Sequence, residues 1–235
     1  MSRKIVITGG CGFIGTHFAE LFAPQHRVVL FDSMFRDALS TSPELKALEN
    51  AEIVHGSVLD PIALGAAFED ADMVIHLAAI AGVSNYYNRS VETLRVNVLG
   101  TFNVLDAAIA AGVRRLIYFS TSEVYGSHAD GVDENTALTS GPVADRRWVY
   151  SVSKQVGEHA MLRHGEEYGI GVTCIRPFNV YGPRQVGEGA VSNFCRWLVA
   201  GEPIKIYGDG VDYRSWCYIT DLLEAMEDIV DNDAT

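Results

Sequence analysis

The sequence predicts an α/β fold, a doubly wound parallel sheet with helices on both faces. Short apolar segments alternate with helical patterns from the first residues onward, which is typical of βαβ units and a parallel sheet. The apolar segments VVLF and MVIHL are continuous rather than alternating, as expected for strands that are buried on both sides. A glycine-rich segment, TGGCGFIG, connects the first strand to the first helix.

The order of elements follows from this alternation. The predicted strands are Lys4–Thr8, Arg27–Phe31, Glu52–His55, Met73–Leu77, Arg115–Ser120 and Gly171–Ile175, and the predicted helices between them are Phe13–Phe22, Pro61–Phe68, Val91–Ala111 and Tyr150–Tyr168. After the loop RPFNVYGPR we expect a helix at Val191–Val199, strands at Pro203–Tyr207 and Tyr213–Tyr218 around the turn GDG, and a helix from Asp221. The chain therefore divides into a sheet domain, residues 1–177, and a smaller region, residues 178–235, interleaved with it.

Composition and charge narrow the class of protein. The 235 residues are 48% apolar and carry a formal net charge of −12, which argues against nucleic acid or an anionic membrane as a partner. No apolar run is long enough to span a bilayer, and MSRKIVITGG leads into a strand without a signal-peptide core. The four cysteines lack metal-binding spacing, so we expect no metal site and a cytoplasmic protein with reduced core thiols, namely Cys11, Cys174, Cys195 and Cys217.

The glycine-rich segment predicts a dinucleotide site. Gly9, Gly12 and Gly15 follow a strand and open a helix, the context in which such glycines bind a dinucleotide. They allow a tight turn, approach of the backbone to a pyrophosphate, and close packing of helix on strand. The phosphates would lie at the positive N-terminus of the helix. The expected architecture is therefore a Rossmann fold.

Asp32 bears on the choice of cofactor. It ends the second strand, 17 residues after Gly15. A carboxylate at that position accepts hydrogen bonds from the adenosine ribose and would repel a 2′-phosphate. This favours NAD over NADP, although the nearby Arg36 counts against the preference.

The segment YSVSK predicts a catalytic pair. Tyr150 and Lys154 are four residues apart and lie one turn from each other on a helix. A free tyrosine has a pKa of about 10, and a nearby lysine cation favours the phenolate and lowers that pKa. Ser120, Thr121, Ser122 and Glu123 follow the fifth strand, at the edge of the sheet where ligands bind, so a hydroxyl there can hydrogen-bond a substrate oxygen.

Taken together, the motifs resemble those of the extended short-chain dehydrogenase/reductases that act as NAD-dependent nucleotide-sugar epimerases, dehydratases and decarboxylases. The matching segments lie between Thr8 and Asp221, and they are TGGCGFIG, HLAA, RVNVLGT, STSEVYG, YSVSK, RPFNVYGPR and GDGVDYRSWCYITD. The resemblance implies that NAD is the cofactor and that the substrate is a nucleotide sugar, UDP-linked in the version we favour. Ser57 stands where the family often has an aspartate, which puts the adenine contact there in question.

The resemblance also implies roles for individual residues. Tyr150 would be the base, Lys154 would orient it and bind the nicotinamide ribose, and Thr121 would contact the sugar hydroxyl, with Glu123 as a fourth catalytic residue. The implied cofactor-binding residues are Gly9, Gly12, Phe13, Ile14, Gly15, Asp32, Ser57, Val58, Leu77, Ala78, Ala79, Asn97, Tyr150, Lys154 and Pro177. The implied substrate-binding residues are Ser122, Asn179, Arg184 and Arg214.

Three reactions are open to such a site, all through a 4-keto sugar. Ser122 cannot protonate a leaving hydroxyl, which counts against a 4,6-dehydratase. Thr121-Ser122-Glu123, the segment around Tyr150 and Arg214 are more similar to UDP-glucuronate decarboxylases, and Arg214 could bind a carboxylate in a bidentate manner. In most relatives, however, that arginine contacts the diphosphate, so a 4-epimerase remains the alternative. An inactive NAD-binding module is disfavoured because both Tyr150 and Lys154 are present.

The resemblance finally implies a homodimer built on a four-helix bundle. The helices Val91–Ala111 and Tyr150–His164 carry apolar side chains at spacings that suit a partner as well as a core, namely Val96, Leu99, Val104, Leu105, Val156 and Met161. Relatives have further residues that complete the sugar-binding lobe, so residues 178–235 would be the beginning of that lobe, either in a truncated chain or in an unusually short protein.

Overall fold

Six parallel strands form the main sheet of the chain. The computed structural model describes residues 2–42, 45, 47–127, 129–211 and 213–232. The strands are β1 (Lys4–Thr8), β2 (Arg27–Asp32), β3 (Ala51–His55), β4 (Met73–His76), β5 (Arg115–Phe119) and β6 (Gly171–Ile175). Their order is β3-β2-β1-β4-β5-β6, with every pair parallel. The chain reverses direction of winding between β1 and β4, the switch point where such sheets bind ligands, and the doubly wound fold is confirmed.

The helices cover both faces of this sheet. They are α1 (Phe13–Phe22), α2 (Pro61–Phe68), α3 (Val83–Asn88), α4 (Ser90–Leu94), α5 (Gly100–Ala110), α6 (Val149–Tyr168), α7 (Ala190–Ala200) and α8 (Ile219–Asp231). Short 3₁₀ turns occur at Leu39–Thr41, Ser122–Tyr125 and Arg146–Trp148. The predicted bounds of α1 and α2 agree with those observed, and α6 begins one residue earlier than expected.

Strand β1 shows how the sheet separates two hydrophobic layers. Because side chains alternate along a strand, Ile5 and Ile7 belong to the core beneath α1 and α8, whereas Val6 belongs to the core beneath α2 and α5. All three side chains are fully buried. Burial on both faces accounts for the continuous apolar character of the central strands.

One long helix expected from Val91 to Ala111 is interrupted in the structure. Residues Arg95–Leu99 form a π-helical segment between α4 and α5. A further short helix, α3, precedes it and was not predicted. The predicted helical segment is therefore present from Ser90 to Ala110, with a π-helical turn that the periodicity of apolar residues does not reveal.

The C-terminal region differs most from expectation. Strands β7 (Val180–Tyr181) and β8 (Cys217–Tyr218) pair in parallel as a small second sheet. The strand expected at Pro203–Tyr207 does not form, since no strand in the described part of the chain lies beside it to pair with its backbone. The one expected at Tyr213–Tyr218 is reduced to β8. Helix α8 begins at Ile219 and packs on α1 through Ile219, Leu222, Met226 and Val230.

The cysteines only partly follow the expected pattern. None of the four is in a disulfide, but only Cys11 is fully buried; Cys174 and Cys217 are half-buried, and Cys195 is exposed on α7. The description of all four as core thiols was therefore wrong for Cys195, because the apolar spacing of α7 does not bury this helix in the described structure. No helix among the described residues is long and apolar enough to cross a membrane.

Candidate active site

A cavity of about 520 Å³ opens at the carboxyl edge of the sheet, around the switch point between β1 and β4. Its wall brings together nearly all of the residues predicted to bind the cofactor, from five different strand ends. Asn97 is the exception, and the residues on the wall are Gly9, Gly12, Phe13, Ile14, Gly15, Asp32, Ser57, Val58, Leu77, Ala78, Ala79, Tyr150, Lys154 and Pro177. Their placement supports the predicted roles, which stay predictions.

The glycine loop is packed so tightly that side chains are excluded. Gly9 adopts a φ of +73°, and a Cβ there would lie 2.7 Å from the backbone nitrogen of Ala78. A Cβ on Gly15 would lie 2.6 Å from the carbonyl oxygen of Gly10. The Gly9 amide donates to the carbonyl oxygen of Phe31 at 2.8 Å. The loop thus holds β1, β2 and the segment after β4 together and leaves backbone facing the cavity.

Asp32 joins the end of β2 to this loop. Its Oδ2 accepts a hydrogen bond from the Cys11 amide at 3.0 Å, and its Oδ1 accepts one from the Met34 amide at 2.7 Å. Burial raises the pKa of the Asp32 carboxyl, while these two hydrogen bonds oppose the rise. Each carboxylate oxygen has a further lone pair, so Asp32 can still accept from a ribose hydroxyl.

Lys154 is held by the end of strand β5. Its Nζ donates to the carbonyl oxygen of Phe119 at 2.6 Å and lies 4.8 Å from the ring centroid of Tyr118. Burial lowers the pKa of Lys154 to about 7, against the raising effect of the Glu158 carboxylate one turn along α6. The ammonium is therefore fixed within the cavity wall and poised to lose its proton close to neutral pH.

Tyr150 does not have the lowered pKa that its spacing from Lys154 suggested. Burial raises the pKa of the phenol, the Glu123 carboxylate adds to the rise, and Arg36 and a hydrogen bond with Thr121 oppose it. The expected lowering of the Tyr150 pKa was therefore wrong for the protein by itself, because desolvation and the Glu123 carboxylate outweigh the effect of Arg36. The phenol is instead protonated at neutral pH, with the Thr121 hydroxyl among the groups that act on its pKa.

Hydroxyl groups line the end of β5 beside Tyr150. Thr121 caps the 3₁₀ turn that follows, since its Oγ1 accepts from the Glu123 amide at 3.2 Å. The Oγ of Ser120 is buried on the cavity wall and has no hydrogen-bond partner among the described residues. A buried hydroxyl without a partner is costly, so a ligand group that reached this Oγ would be stabilised by a hydrogen bond.

Glu123 lies at the open end of this arrangement. The residue is exposed, yet partial desolvation of its carboxyl by the surrounding protein raises its pKa, against the lowering effect of Arg147. Glu123 also raises the pKa of Tyr86, which burial brings to about 12. Tyr150, Glu123, Tyr86 and Arg147 therefore share one electrostatic environment.

Tyr86 and Arg147 are members of this group that the sequence analysis did not single out. Tyr86 is buried on the unpredicted helix α3, and no spacing in SNYYN distinguishes it. Arg147 lies in the 3₁₀ turn just before α6. Arg147 is three residues before Tyr150 in the segment ADRRW, but the sequence does not distinguish it from an ordinary surface arginine.

Asn97 lies behind the cavity rather than on its wall. Its Oδ1 accepts from the Ile80 amide at 2.8 Å, and its Nδ2 donates to the Ser153 Oγ at 3.0 Å. The Ser153 hydroxyl in turn donates to the carbonyl oxygen of Tyr150 at 2.6 Å. Asn97 therefore ties the loop after β4 to the first turn of α6, and any effect on a cofactor would pass through those two elements.

His76 belongs to the same supporting layer. Its Nδ1 lies 2.6 Å from the Thr8 Oγ1 and its Nε2 lies 3.1 Å from the Thr101 Oγ1. The Thr101 hydroxyl donates to the carbonyl oxygen of Asn97, so it accepts from Nε2–H, and Nδ1 accepts from Thr8. Complete burial lowers the pKa of His76 to about 3, and the ring is a neutral structural group.

The four residues predicted to bind substrate are not brought to the cavity wall. The Asn179 Nδ2 donates to the carbonyl oxygen of Ser215 at 2.9 Å. Arg184 forms an ion pair with Glu20 on α1. Arg214 is exposed, and the Ser122 amide donates to the carbonyl oxygen of Pro177. Their contact with substrate stays a prediction.

These features fit a dinucleotide. Gly9, Gly12 and Gly15 line the cavity at the N-terminus of α1, a carboxylate lies at the end of β2, and the unpartnered Ser120 hydroxyl and the Tyr–Lys pair lie at the far end. Gly9, Gly12 and Gly15 would hold the phosphates, Asp32 the adenosine ribose, and Lys154 the nicotinamide ribose. No group of three or more His, Cys, Asp and Glu side chains that could hold a metal ion is found in the described ranges. The fold and cavity are those expected of a dinucleotide-dependent enzyme.

The chain belongs to the NAD dependent epimerase/dehydratase family, whose profile matches residues 5–235. This confirms the resemblance predicted from the motifs, and the family description confirms NAD as the cofactor. The chain is 35% identical over 229 residues to UDP-N-acetyl-alpha-D-glucosaminuronate decarboxylase of Bacillus cytotoxicus, covering 96% of this chain and 70% of that protein. It is 33% identical over 233 residues to UDP-glucuronic acid decarboxylase 1 of Arabidopsis thaliana, covering 98% of this chain and 52% of that protein. The chain thus spans about half to two thirds of these relatives.

Solved structures agree with this family. The UDP-glucuronic acid 4-epimerase from Bacillus cereus, in complex with UDP-glucuronic acid and NAD, superposes with a TM-score of 0.87 at 28% identity, over 97% of this chain and 73% of that chain. The dTDP-glucose 4,6-dehydratase from Streptomyces venezuelae, with NAD bound, gives a TM-score of 0.88 at 28% identity, over 97% of this chain and 71% of that chain. The fold is therefore shared by enzymes of more than one reaction.

Proposed function

We propose that the protein is an NAD-dependent nucleotide-sugar enzyme that acts through a 4-keto sugar, and that it decarboxylates a UDP-linked uronic acid. The observation that carries the first part is the convergence of Thr121, Tyr150 and Lys154 on the cavity that begins at the glycine loop. The two curated relatives named above, both decarboxylases of UDP-linked uronic acids, support the second part. Residues 1–177 would bind the cofactor and residues 178–235 would begin the substrate-binding region.

Tyr150 would accept the proton of the sugar 4-hydroxyl, and the Thr121 hydroxyl would hold the same oxygen. NAD, when bound, supplies the hydride acceptor for carbon 4. Because the pKa of Tyr150 is raised by burial and by Glu123, the proton transfer requires added positive charge beside the phenol. Lys154 is the residue of α6 that is placed to provide charge from within the wall.

The carboxylate of a 4-keto uronic acid is β to the ketone, so carbon dioxide leaves and the electron pair of the broken bond becomes an enolate. Carbon 5 then needs a proton. Glu123 has a raised pKa at the open end of the site, which suits a group that donates this proton. Ser122 has no acidic proton to give a leaving hydroxyl, which disfavours a 4,6-dehydratase.

A nucleotide-sugar 4-epimerase is the second candidate. The superposition on UDP-glucuronic acid 4-epimerase favours it, since the same first oxidation would serve both reactions. The placement of Arg214 outside the cavity wall also weakens its assignment to a sugar carboxylate. The two reactions differ only in what happens after carbon 4 has been oxidised.

Products identified by mass distinguish these functions. The protein would be incubated with NAD and, separately, UDP-glucuronic acid, UDP-glucose and dTDP-glucose. Loss of carbon dioxide from UDP-glucuronic acid is the expected result. An isomer of unchanged mass would establish the epimerase, and loss of water from dTDP-glucose would establish the dehydratase. If no sugar reacts and no reduced cofactor forms at any point, the protein is a binding module and the proposal fails.

We also propose a homodimer and a cytoplasmic location. Of the residues expected at a helix-bundle interface, Val104, Leu105 and Met161 are instead fully buried in the chain's own core. Leu99 and Val156 are 52% and 37% exposed, so they can contact a second copy. Leu99→Arg should convert a dimer to a monomer in sedimentation equilibrium, and a monomeric wild-type protein would contradict the proposal. The four cysteines, none of them in a disulfide, accord with a reducing compartment.

A further inference from the structure

The backbone of Arg36 lies beside the N-terminus of α1. It follows β2 by four residues, and a Cβ on Gly12 would lie 3.9 Å from its carbonyl oxygen. Two residues later, the Ala38 amide donates to the carbonyl oxygen of Cys11 at 2.9 Å. The backbone of Arg36 therefore runs along the glycine loop, at the end of the cavity where a helix N-terminus favours phosphate.

The side chain of Arg36 lines the cavity and reaches the loop that follows β4. Its Nη2 donates to the carbonyl oxygen of Ala81 at 2.7 Å. A Cβ on Gly82 would lie 2.7 Å from Nη2, and a Cβ on Gly187 would lie 3.1 Å from Cζ. Both glycines have positive φ, +98° and +88°. The guanidinium thus occupies a slot between two positions that only glycine can fill without strain and displacement.

Arg36 forms no ion pair among the described residues, although the Glu188 carboxylate lies beside the same slot: a Cβ on Gly82 would be 3.0 Å from its Oε2. A guanidinium has five N–H donors, and among the described residues Ala81 provides the one acceptor within hydrogen-bond distance of them. No carboxylate in the described part of the chain lies within ion-pair distance of Arg36. Glu188, which borders the same slot, accepts hydrogen bonds from the Ser84 amide at 3.3 Å. A half-buried cation with free donors is therefore held against the cavity.

We propose that Arg36 binds the diphosphate of the dinucleotide, from the side of the cavity formed by the loop that follows β4. The phosphates would lie between the backbone amides of the glycine loop and the guanidinium, whose planar fork suits two phosphate oxygens. Asp32 lies between the glycine loop and this segment and excludes a 2′-phosphate as the group that Arg36 recognises. The inference concerns the cofactor and is independent of which reaction the protein catalyses.

Calorimetric titration of Arg36→Ala with NAD, ADP-ribose, adenosine and NADP tests this assignment. Because hydrogen bonds to charged groups contribute about 1.5–3 kcal/mol, the dissociation constants of NAD and ADP-ribose should both rise by about 10- to 100-fold. That of adenosine, which has no phosphate, should be unchanged. Arg36→Lys keeps the charge but loses the fork, and should give an intermediate loss.

Arg27→Ala is the matched control. Arg27 is the first residue of β2, the strand that Arg36 follows. It is exposed and pairs with Glu52 on the surface, so its removal should leave all four dissociation constants unchanged. Unaltered binding of NAD by Arg36→Ala would overturn the proposal. A loss confined to NADP would assign Arg36 to the 2′-phosphate, and an equal loss for adenosine would show a structural role; either result would refute it. Since binding is measured without turnover, failure of the proposed reaction would leave this test intact.

Discussion

Lys154 donates its hydrogen bond to the carbonyl oxygen of Phe119, the last residue of strand β5. This contact fixes α6 to the strand end that also carries Ser120 and Thr121. The position is fully enclosed, and burial lowers the pKa of Lys154 to about 7. The orientation of the catalytic helix therefore depends on an ammonium group that is costly to keep charged.

We expect Lys154→Met to raise the free energy of unfolding above that of the wild type at pH 7 and below. This gain should shrink as the pH rises. The lysine of the unfolded chain titrates at its ordinary pKa of 10.5 and the folded one at about 7, so between these values the unfolded state binds more protons. The stability of the wild type consequently rises with pH over that window. Methionine has no such dependence. Urea denaturation at several pH values measures the difference, and a difference that is constant from pH 7 to 10 would contradict the burial of a charged lysine.

Tyr150→Phe should abolish the oxidation step. The phenylalanine retains the ring but removes the group that accepts the 4-hydroxyl proton, and loss of a general base costs about 10²–10⁴-fold in rate. Formation of reduced cofactor in a single turnover is the measurement. The dissociation constant of NAD is the control and should change little. Retention of more than a tenth of the wild-type rate would remove Tyr150 from the role of base.

Glu123→Gln should shift the pH dependence of oxidation toward lower pH. The Glu123 carboxylate raises the pKa of Tyr150, so its neutralisation lowers that pKa and makes the phenolate available at a lower pH. The oxidation step should survive, whereas product formation, which needs a proton donor, should slow. The single-turnover rate as a function of pH tests the first effect. An unchanged profile would show that Glu123 does not act on Tyr150.

Asp32→Ala should weaken the binding of NAD more than that of NADP. The change removes the acceptor for the ribose hydroxyls and the charge that repels a 2′-phosphate. It also leaves the Cys11 and Met34 amides without their partner, so Asp32→Asn, which retains an acceptor oxygen, serves as the control for folding. Equal discrimination between the two cofactors in wild type and Asp32→Ala would refute the role of Asp32 in selecting NAD.

Two glycines within helices should respond oppositely to the same substitution. A Cβ on Gly65 of α2 has no neighbour within 4 Å, whereas a Cβ on Gly157 of α6 would lie 2.0 Å from the Tyr118 hydroxyl. Gly65→Ala should raise the free energy of unfolding by about 0.5–1 kcal/mol through helix propensity. Gly157→Ala should lower it by about 1–3 kcal/mol through overpacking. Thermal denaturation of both variants measures this, and a shift of the same sign in the two would contradict it.

The parts of the fold that sequence predicted well are those determined locally. The bounds of β1 and α1 follow from an apolar strand, a glycine loop and a helical pattern that are adjacent in the chain. The strand expected at Pro203–Tyr207 has suitable residues but no partner among the described strands, which local pattern does not reveal.

The site shows the same division. Thr121, Tyr150, Lys154 and the glycine loop lie in recognisable motifs and reach one cavity. Tyr86 and Arg36 could not be placed from sequence, because their positions depend on how separate loops pack. Arg184 lies in a recognisable motif, but its ion pair with Glu20 could not be predicted because the two residues are 164 positions apart. The raised pKa of Tyr150 likewise comes from burial and from Glu123, which are properties of the folded protein.

The π-helical segment Arg95–Leu99 means that α4 and α5 differ in phase by one residue. Deleting a single residue from this segment would restore a regular helix, and it would turn everything before the deletion by about 100° relative to α5. If α5 kept Val104 and Leu105 in the core, the helix before it would swing Asn97 away from Ile80 and Ser153. Because of this irregular turn, one continuous helical stretch can place Val104 and Leu105 in the hydrophobic core and also hold Asn97 against the loop after β4.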